Sequence, residues 1–380
     1  MRAALDRIGA ITAKEFKHLI RDPRALALVL LLPIVQLLLF SYAISFDVRN
    51  VPTLVIDQDR TPASAEYLRN YEGSNFFSIV AHADSVAAAT AAFDRNQARI
   101  AVVVPAGFGR QLAAGATASV AVLVDGSEPN SARVAQAYSK ALNLLYDQRV
   151  AVSWAETQGL DLTSLGSLQP QIRTWYNPER RSSDFLIPGL MAVILMIVTV
   201  QQTAVTLVRE RDQGTGEQMA VSPLRRGELM IGKLLPWTIL AFLDVVAIIA
   251  VGMGVFGVPL RGDPVVLAVA AVLFVFASLG MGLVISALAP TVDTASITAL
   301  LVAFLPSFLL SGFAFALDQI PLVLQWIASA FPARYFVTVS RAVFLKGAGW
   351  SEAWPEVVSL GIFSLVVLTL ASALHSRRSR

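Results

Sequence analysis

Residues 185–208 have the sequence FLIPGLMAVILMIVTVQQTAVTLV, a stretch without an acidic or basic side chain. An α-helix rises about 1.5 Å per residue, so a run of this length crosses the roughly 30 Å hydrocarbon layer of a bilayer. Five further apolar runs of this kind occur at residues 25–46, 234–257, 265–288, 296–317 and 357–374. The sequence therefore predicts an α-helical integral membrane protein with about six transmembrane helices.

The composition of the chain points to the same environment. Of its 380 residues, 55% are apolar and only 15% are charged, too few charges to cover a water-soluble protein of this size. The basic residues behind the formal charge of +3 are spread along the chain, so nucleic acid is not an expected partner. Cysteine is absent and the three histidines lie far apart, so we expect neither a metal site nor catalytic residues, and no enzyme activity.

The positions of Lys and Arg between the apolar runs predict the orientation, because short cytoplasmic segments of membrane proteins retain positive charge. With the N-terminus inside, the cytoplasmic segments contain Arg2, Arg7, Lys14, Lys17, Arg21, Arg24, Arg209, Arg211, Arg225, Arg226, Lys233, Arg377, Arg378 and Arg380. The short outer loops then contain only Arg261, Arg334, Arg341 and Lys346. We therefore expect a cytoplasmic N-terminus and a cytoplasmic tail at residues 377–380.

Residues 1–24 are predicted to form an amphipathic interfacial helix ahead of the first transmembrane helix at 25–46. Its apolar side chains share one side and its basic side chains the other, which is typical of a helix at a membrane surface or on a partner protein. The apolar set is Leu5, Ile8, Ile11, Phe16 and Leu19. Ser41 and Ala43 resemble a signal-peptide cleavage site, but the long basic lead-in favours a retained anchor.

Residues 47–184 form a segment of different composition, which predicts an inserted extracytoplasmic α/β domain. Short β-branched runs at 51–57, 99–105 and 119–125 predict strands, and segments at 63–71, 85–95, 108–114 and 130–157 predict helices. This alternation is typical of a parallel or mixed sheet covered by helices. Transmembrane helices two to six then occupy residues 185–376, with a re-entrant or outer segment at 318–353 that is apolar over only half a membrane thickness.

Residues 227–234 come close to the pattern of a phosphate-binding loop. Gly227, Gly232 and Lys233 match it, but Leu234 stands where that loop needs the Ser or Thr that binds magnesium. The segment also enters a membrane helix instead of following a buried strand. We interpret the match as a coincidence and expect no cofactor in this chain.

Polar residues inside the predicted spans are few and therefore informative. Gln201, Gln202 and Asp244 are candidates for lining a transport pathway, because polar groups in a bilayer are costly. Hydrogen bonding between helices explains them equally well. A set of glycines is expected to let helices approach closely, namely Gly252, Gly254, Gly257, Gly280 and Gly282.

The cytoplasmic hairpin 209–227 between the second and third spans has charges of both signs, a Gly-Thr-Gly break at 214–216 and a short apolar stretch before Pro223. An amphipathic element held by two membrane helices is suited to docking on a soluble partner, and a solvated loop is the simpler alternative. The pattern of Glu210, Gly214, Thr215, Glu217, Gln218, Ser222 and Pro223, followed by Gly232-Lys233-Leu234, resembles ABC-2-type transporter permeases of the drug-efflux-like branch. Further matches lie at 14–16, 21–24, 177–178, 188–189, 331–336 and 341–344.

This resemblance implies the membrane-spanning permease subunit of an ATP-binding-cassette exporter in a bacterial inner membrane. Such permeases move hydrophobic or amphiphilic molecules, drug-like compounds or lipids, and pair with a second permease chain, identical or homologous. Two copies of a separate ATPase subunit would hold ATP and magnesium, and a periplasmic adaptor and membrane lipid are further partners. The ATPase-coupling residues implied are Arg209, Glu210, Arg211, Gly214, Thr215, Glu217, Gln218 and Pro223.

Two other functions fit the same topology from the residues alone. One is a membrane-anchored receptor or assembly protein that transports nothing. The other is an ion-coupled carrier that uses Asp244. Binding of an ATPase would separate the first from an exporter, and transport driven by an ion gradient alone would identify the second.

Overall fold

A computed structural model describes residues 2–43, 50–157, 175–179, 181–212 and 226–378. The chain forms two compact units, one of Met1–Ser45 with Thr174–Arg380 and the other of Phe46–Arg173. The predicted 47–184 segment extends beyond the second unit into the start of the next membrane helix. Each unit has its own hydrophobic core.

The membrane unit is built from long apolar helices. They are α1 (Arg2–Arg21), α2 (Pro23–Ala43), α7 (Ser182–Asp212), α8 (Arg226–Gly254), α9 (Pro264–Leu288), α10 (Val292–Leu309), α11 (Leu322–Ala328), α12 (Pro332–Arg341) and α13 (Trp350–Arg378). Six of these have spans long and apolar enough to cross a bilayer: Leu26–Ala43, Ser182–Arg209, Ile231–Gly254, Pro264–Leu288, Val292–Leu309 and Trp350–His375. The prediction of a six-span α-helical membrane protein is confirmed.

Helix α7, which contains the apolar stretch 185–208, is the centre of this unit. It packs against α2, α8, α9, α10 and α12. A helix that is apolar on all sides is expected to be surrounded by protein or lipid, and here the chain itself buries 83% of an 18-residue apolar stretch of α7. The apolar stretch 185–208 is thus the one around which the other helices assemble.

The fifth span differs from the predicted range 296–317. Helix α10 begins at Val292, because the Thr291 hydroxyl accepts a hydrogen bond from the Thr294 amide at 3.2 Å and caps the helix. It ends at Leu309, well before residue 317. Beyond that end, the carbonyl groups of Gly312 and Phe313 accept hydrogen bonds from a distant arginine, which pairs two carbonyls of the segment that leaves the helix.

The segment predicted to be re-entrant, 318–353, contains two helices separated by a sharp bend. Helix α11 and the pair made by α12 with a π-helical turn at Ala342–Lys346 meet at 89°, which excludes a single straight span through both. The last residues of the predicted segment already belong to α13, which starts at Trp350 and is longer than the predicted 357–374. Pro355 lies inside α13, in its second turn, where its ring nitrogen cannot donate to the carbonyl four residues earlier.

The second unit is a small α/β fold with a mixed four-stranded sheet. Its strands are β1 (Val51–Asp57), β2 (Phe77–His82), β3 (Ile100–Val104) and β4 (Ala121–Val124), and its helices are α3 (Pro62–Glu72), α4 (Val86–Asp94), α5 (Phe108–Ala113) and α6 (Pro129–Thr157). The strand order is β2-β1-β3-β4, with β1 parallel to both neighbours and β4 antiparallel to β3. Strand β2 was missed in the sequence because its half-exposed edge position tolerates Ser78 and His82.

The carboxyl ends of β1 and β3 adjoin where the chain order reverses, a place where open α/β sheets commonly bind ligands. In this protein, hydrogen bonds of the Asp59 side chain occupy the carboxyl ends of β1 and β3. The Asp59 carboxylate accepts hydrogen bonds from the Thr61 hydroxyl at 2.6 Å and from the amides of Gly107 and Gly109 at 2.7 and 2.9 Å. These bonds, the one from Thr61 foremost, lower the pKa of Asp59.

Replacing Asp59 by asparagine should therefore loosen the start of α5. Because the folded-state pKa is depressed, the ionised carboxylate contributes stability above the usual aspartate pKa, and this contribution is lost as pH falls through the folded-state value. We expect Asp59→Asn to accelerate amide hydrogen exchange across residues 107–113 at pH 7, and the ratio of variant to parent rates to approach one in acid. Asp84→Asn, which removes an exposed partner of Arg60, is the control. Equal rates for Asp59→Asn and parent at pH 7 would contradict this assignment.

Candidate functional site

Helix α1 is joined to the first turns of α8 by a bidentate ion pair. Arg7 Nε donates to Glu228 Oε2 at 2.8 Å, and Arg7 Nη2 donates to Glu228 Oε1 at 2.7 Å. The Arg7 side chain is 36% exposed and that of Glu228 only 9%. A planar guanidinium that donates two parallel bonds to one carboxylate fixes the orientation of both partners. The N-terminal helix is thereby joined to the helix that follows the hairpin 209–227.

Gly232 is the point of closest approach between these two helices. The Thr12 hydroxyl donates to the Ile8 carbonyl at 2.9 Å and lies 3.2 Å from the Gly232 carbonyl. A methyl group added at Gly232 would lie 2.8 Å from Ile11 side-chain atoms, closer than real contacts allow. Gly232 and Lys233 lie inside the continuous helix α8, which is not the conformation of a phosphate-binding loop.

The predicted apolar side of α1 is only partly covered by the rest of the chain. Ile11 is buried, whereas Leu5 is 62% exposed. Arg7, assigned to the solvated basic side, instead reaches Glu228, and Glu15 is buried although it is charged. The uncovered apolar side chains, Leu5 and Ile20 among them, leave a surface for lipid or a partner.

The other leg of the hairpin is anchored to the far end of α9. Arg211 Nη2 donates to the carbonyls of Ala289 and Pro290, both at 2.8 Å. A cation at a helix C-terminus satisfies free carbonyls and interacts favourably with the helix dipole. Of the predicted coupling residues, Arg209, Glu210 and Arg211 form the last turn of α7. Gly214, Thr215, Glu217, Gln218 and Pro223 lie outside the described residues.

Asp244 is buried in the middle of α8, with 1% of its surface exposed. Within the described part of the chain, its Oδ1 atom has no hydrogen-bond partner. It shares a narrow space with Thr199 and Gln202 of α7, and that space of about 10 Å³ holds at most one water molecule. In a single chain this space is too small for a substrate. Gln201 points elsewhere, with its amide nitrogen 3.4 Å from the Ser296 hydroxyl of α10.

Arg341 was assigned from the sequence to a short outer loop, but the structure places it among helices. Its Nη1 donates to the Gly312 carbonyl at 2.7 Å and its Nη2 to the Phe313 carbonyl at 3.1 Å. Its guanidinium lies 3.7 Å from the centre of the Phe185 ring, a cation–π contact. Arg341 thus ties α12 to α7 and to the chain that follows α10, and it is not a free loop charge.

Comparison with known proteins supplies the class to which this arrangement belongs. The model of the ABC-2 family transporter proteins matches residues 23–373, which include five spans, all but the last two residues of the sixth, and the hairpin between α7 and α8. The chain belongs to the ABC-2 transporter family. The match begins at Pro23, so α1 with Arg7 precedes the matched region.

Several relatives of this ABC-2 permease are similar over nearly their whole length. The probable multidrug ABC transporter permease YbhS of Escherichia coli is 32% identical over 342 residues, 90% of this chain and 89% of the relative. The probable multidrug ABC transporter permease YbhR of the same organism is 29% identical over 356 residues, 93% of this chain and 94% of the relative. The ABC transporter G family member 20 of Dictyostelium discoideum is 25% identical over 378 residues, but only 50% of its own length is covered.

The contacts that organise the site of this ABC-2 permease were not visible in the sequence. Arg7 and Glu228 are 221 positions apart, and no sequence pattern around either residue indicates that the two side chains are in contact. The available signals were weak ones: a basic residue on an amphipathic helix and an acidic residue in the first turn of another. The near-match around Gly232 did mark a real constraint, which is close helix packing.

The Asp244 carboxyl in this ABC-2 permease gives a prediction about stability. Asn has nearly the same shape as Asp but avoids the cost of burying a carboxylate, so Asp244→Asn should raise stability by about 1 kcal/mol. The measurement is the thermal unfolding of the detergent-solubilised chain. Asp293→Asn, which removes an acid from the exposed first turn of α10, should be neutral or slightly destabilising. A clear loss of stability in Asp244→Asn would show instead that its carboxylate is partnered.

Proposed function

We propose that this chain is the membrane-spanning permease subunit of an ATP-binding-cassette exporter in a bacterial inner membrane. It would move hydrophobic or amphiphilic small molecules, drug-like compounds or lipids, out of the cytoplasm. Membership of the ABC-2 family supports a transporter, and the two Escherichia coli relatives named as probable multidrug permeases support this substrate class. The observation that carries ATP coupling is the Arg7–Glu228 pair, because it connects the hairpin to a second cytoplasmic helix.

In this proposal, two copies of a separate ATPase subunit bind ATP and magnesium and press on the hairpin. The residues in contact would be Arg209, Glu210, Arg211, Gly214, Thr215, Glu217, Gln218 and Pro223. Movement of the hairpin reaches α1 through Glu228 and the α9–α10 connection through Arg211. Both links are short charged hydrogen bonds, so they transmit displacement better than loose apolar contacts do.

The partner inside the membrane is proposed to be a second permease chain, identical or homologous, together with lipid. Only 22% of the residues in the spans Leu26–Ala43 and Val292–Leu309 are buried by the chain itself. These two helices therefore offer uncovered apolar surface to another chain or to lipid. A periplasmic adaptor that contacts the α/β unit is a further proposed partner.

The proposed orientation places both termini, α1 and the hairpin in the cytoplasm and the α/β unit outside. The ends of α7 and α13 on the α1 side are basic, while the opposite end of the bundle has exposed Trp175, Trp326 and Trp350. Because the sequence has no cysteine, single cysteines can be introduced without altering other thiols. A membrane-impermeant maleimide should label Asp84→Cys in spheroplasts and should label Arg209→Cys only after lysis. The reverse pattern would contradict the orientation.

Association with an ATPase is tested by purification of the tagged chain from its native membranes and identification of any ATPase that is purified with it. We expect a stable complex, and we expect replacement of Gly214 or Glu217 to lower its ATP turnover. Protection of Arg209→Cys from maleimide by the bound ATPase would locate the contact on the hairpin. Failure to isolate a complex, with the permease itself folded, would favour the receptor or assembly alternative.

The ion-coupled carrier remains the second candidate, because Asp244 is a buried carboxyl within a membrane span. A carrier of this kind transports in a proton gradient without ATP, and Asp244→Asn abolishes that transport. An ATP-driven exporter shows no transport in the gradient alone. The narrow space beside Asp244 favours the exporter.

A further inference from the structure

The α/β unit contains an open cleft between α5 and α6 that has no part in the proposed ATP coupling. Its volume is about 400 Å³, within the range of small-molecule sites. Its walls are mainly apolar and aromatic, formed by Tyr67, Phe108, Leu112, Val120, Leu144 and Tyr146. We refer to it as the aromatic cleft.

The floor of the aromatic cleft is rigid. Tyr67 and Phe108 are each 3% exposed and Tyr146 is 7% exposed. The Tyr67 ring lies edge-on to Tyr146 with centroids 5.1 Å apart, and its centroid is 5.7 Å from that of Phe108. Such aromatic clusters hold their geometry, so the cleft does not need to be ordered when a ligand enters.

One polar group is aimed into this apolar surface. The Tyr67 hydroxyl donates to Asn143 Oδ1 at 2.6 Å, so the amide oxygen of Asn143 is occupied. What remains for a ligand is the amide NH₂, a donor of two hydrogen bonds. Burial raises the pKa of Tyr67 and of Tyr146, so both hydroxyls stay protonated and neutral at physiological pH. The polar recognition element at the floor is therefore a donor.

The mouth of the aromatic cleft has one charge at each end. Lys140, Asn143 and Asp147 are spaced by three and four residues along α6 and so share one helix face. Lys140 and Asp147 are about 10 Å apart along the helix axis. A ligand whose acceptor group lies near Asn143 would gain from Lys140, and its apolar body would lie on Phe108 and Tyr146.

We propose that the aromatic cleft binds an aromatic amphiphile that has an anionic or neutral hydrogen-bond acceptor, such as an aromatic carboxylate. The acceptor is held by the Asn143 amide and the Lys140 ammonium, and the ring system packs on the aromatic floor. A protein segment is a poorer occupant, because a helix of about 10 Å diameter needs a long groove and this cleft is a local depression. The site gives this unit a ligand-binding function independent of ATP hydrolysis.

The test uses the full chain in zwitterionic lipid nanodiscs, without an ATPase, and 2-naphthoate as the probe in isothermal titration calorimetry. Empty nanodiscs provide the reference for partition into lipid. We expect saturable binding to the chain, weakened at least tenfold by Ala118→Phe, which fills the cleft, and about threefold or more by Lys140→Met. Ala116→Phe and Arg133→Met, exposed substitutions outside the cleft, should leave the affinity unchanged.

Two results would overturn the proposal. One is a heat of titration with 2-naphthoate that is no greater for nanodiscs with the chain than for empty nanodiscs. The other is binding that Ala118→Phe and Lys140→Met leave unaltered, which would place the naphthoate elsewhere. Amide exchange across β3, the buried strand at the centre of the sheet, verifies that each variant is folded. Because no ATPase is present, the outcome is separate from that of the exporter proposal.

Discussion

Replacing Arg7 by glutamate is expected to lower ATP-driven transport at least tenfold. The substitution sets two carboxylates against each other and leaves Glu228, which is 9% exposed, without its bidentate partner. Removing one member of an ion pair leaves the other charge poorly compensated, and the partial exposure of Arg7 reduces this cost without abolishing it. We expect α1 to detach from α8 in a large share of molecules.

The charge-swapped double variant makes this prediction specific. Arg7→Glu together with Glu228→Arg restores opposite charges at the same positions, so most of the transport rate should return. Lys17→Glu introduces the same charge change on an exposed residue of α1 and should have little effect. The readouts are ATP turnover and transport by the reconstituted complex. Full activity of Arg7→Glu would show that the pair is not part of coupling.

The second large effect is expected at Gly282, where α9 approaches α7 within the membrane. A Cβ atom there would lie 2.7 Å from the Val200 carbonyl oxygen and 2.8 Å from the Thr203 Cβ. The first contact is with backbone, which cannot rotate away, so the two helices must separate. Overpacking of a close contact typically costs 1–3 kcal/mol, and we expect Gly282→Ala to lower the unfolding temperature by several degrees.

Gly254 provides the matched control for this substitution. It also lies in a membrane helix, but a Cβ atom added there meets nothing within 4 Å. Gly254→Ala should therefore be neutral or slightly stabilising, since alanine favours the helix more than glycine does. Thermal unfolding of both variants in the same detergent measures the difference. Equal unfolding temperatures would contradict the helix packing described here.

The same pair of glycines shows how far sequence reasoning reaches. Glycines in an apolar run predicted close helix contacts, and this is confirmed for Gly282 but wrong for Gly254. Both have apolar neighbours in sequence, but Gly254 ends its helix, whereas Gly282 lies inside one that packs against another helix. The six spans were predictable because insertion into a bilayer depends on the composition of each segment by itself.

Contacts between distant segments were the part that the sequence could not provide. Arg341 looked like a loop residue because it lies between the predicted spans 296–317 and 357–374. In fact the chain leaves α10 early and offers carbonyl groups that Arg341 binds. Arg7 looked solvated for a similar reason, since its partner lies on another helix. In each case a charged group finds its partner only after the helices assemble.

We expect this permease to transport amphiphiles only when a partner ATPase hydrolyses ATP. The test uses proteoliposomes that contain the permease and the ATPase, with the fluorescent amphiphile Hoechst 33342 as the transported probe. We predict dye movement with ATP and magnesium, none with a non-hydrolysable ATP analogue, and none in a proton gradient when the ATPase is omitted. Dye movement driven by the proton gradient without the ATPase, and abolished by Asp244→Asn, would contradict the claim.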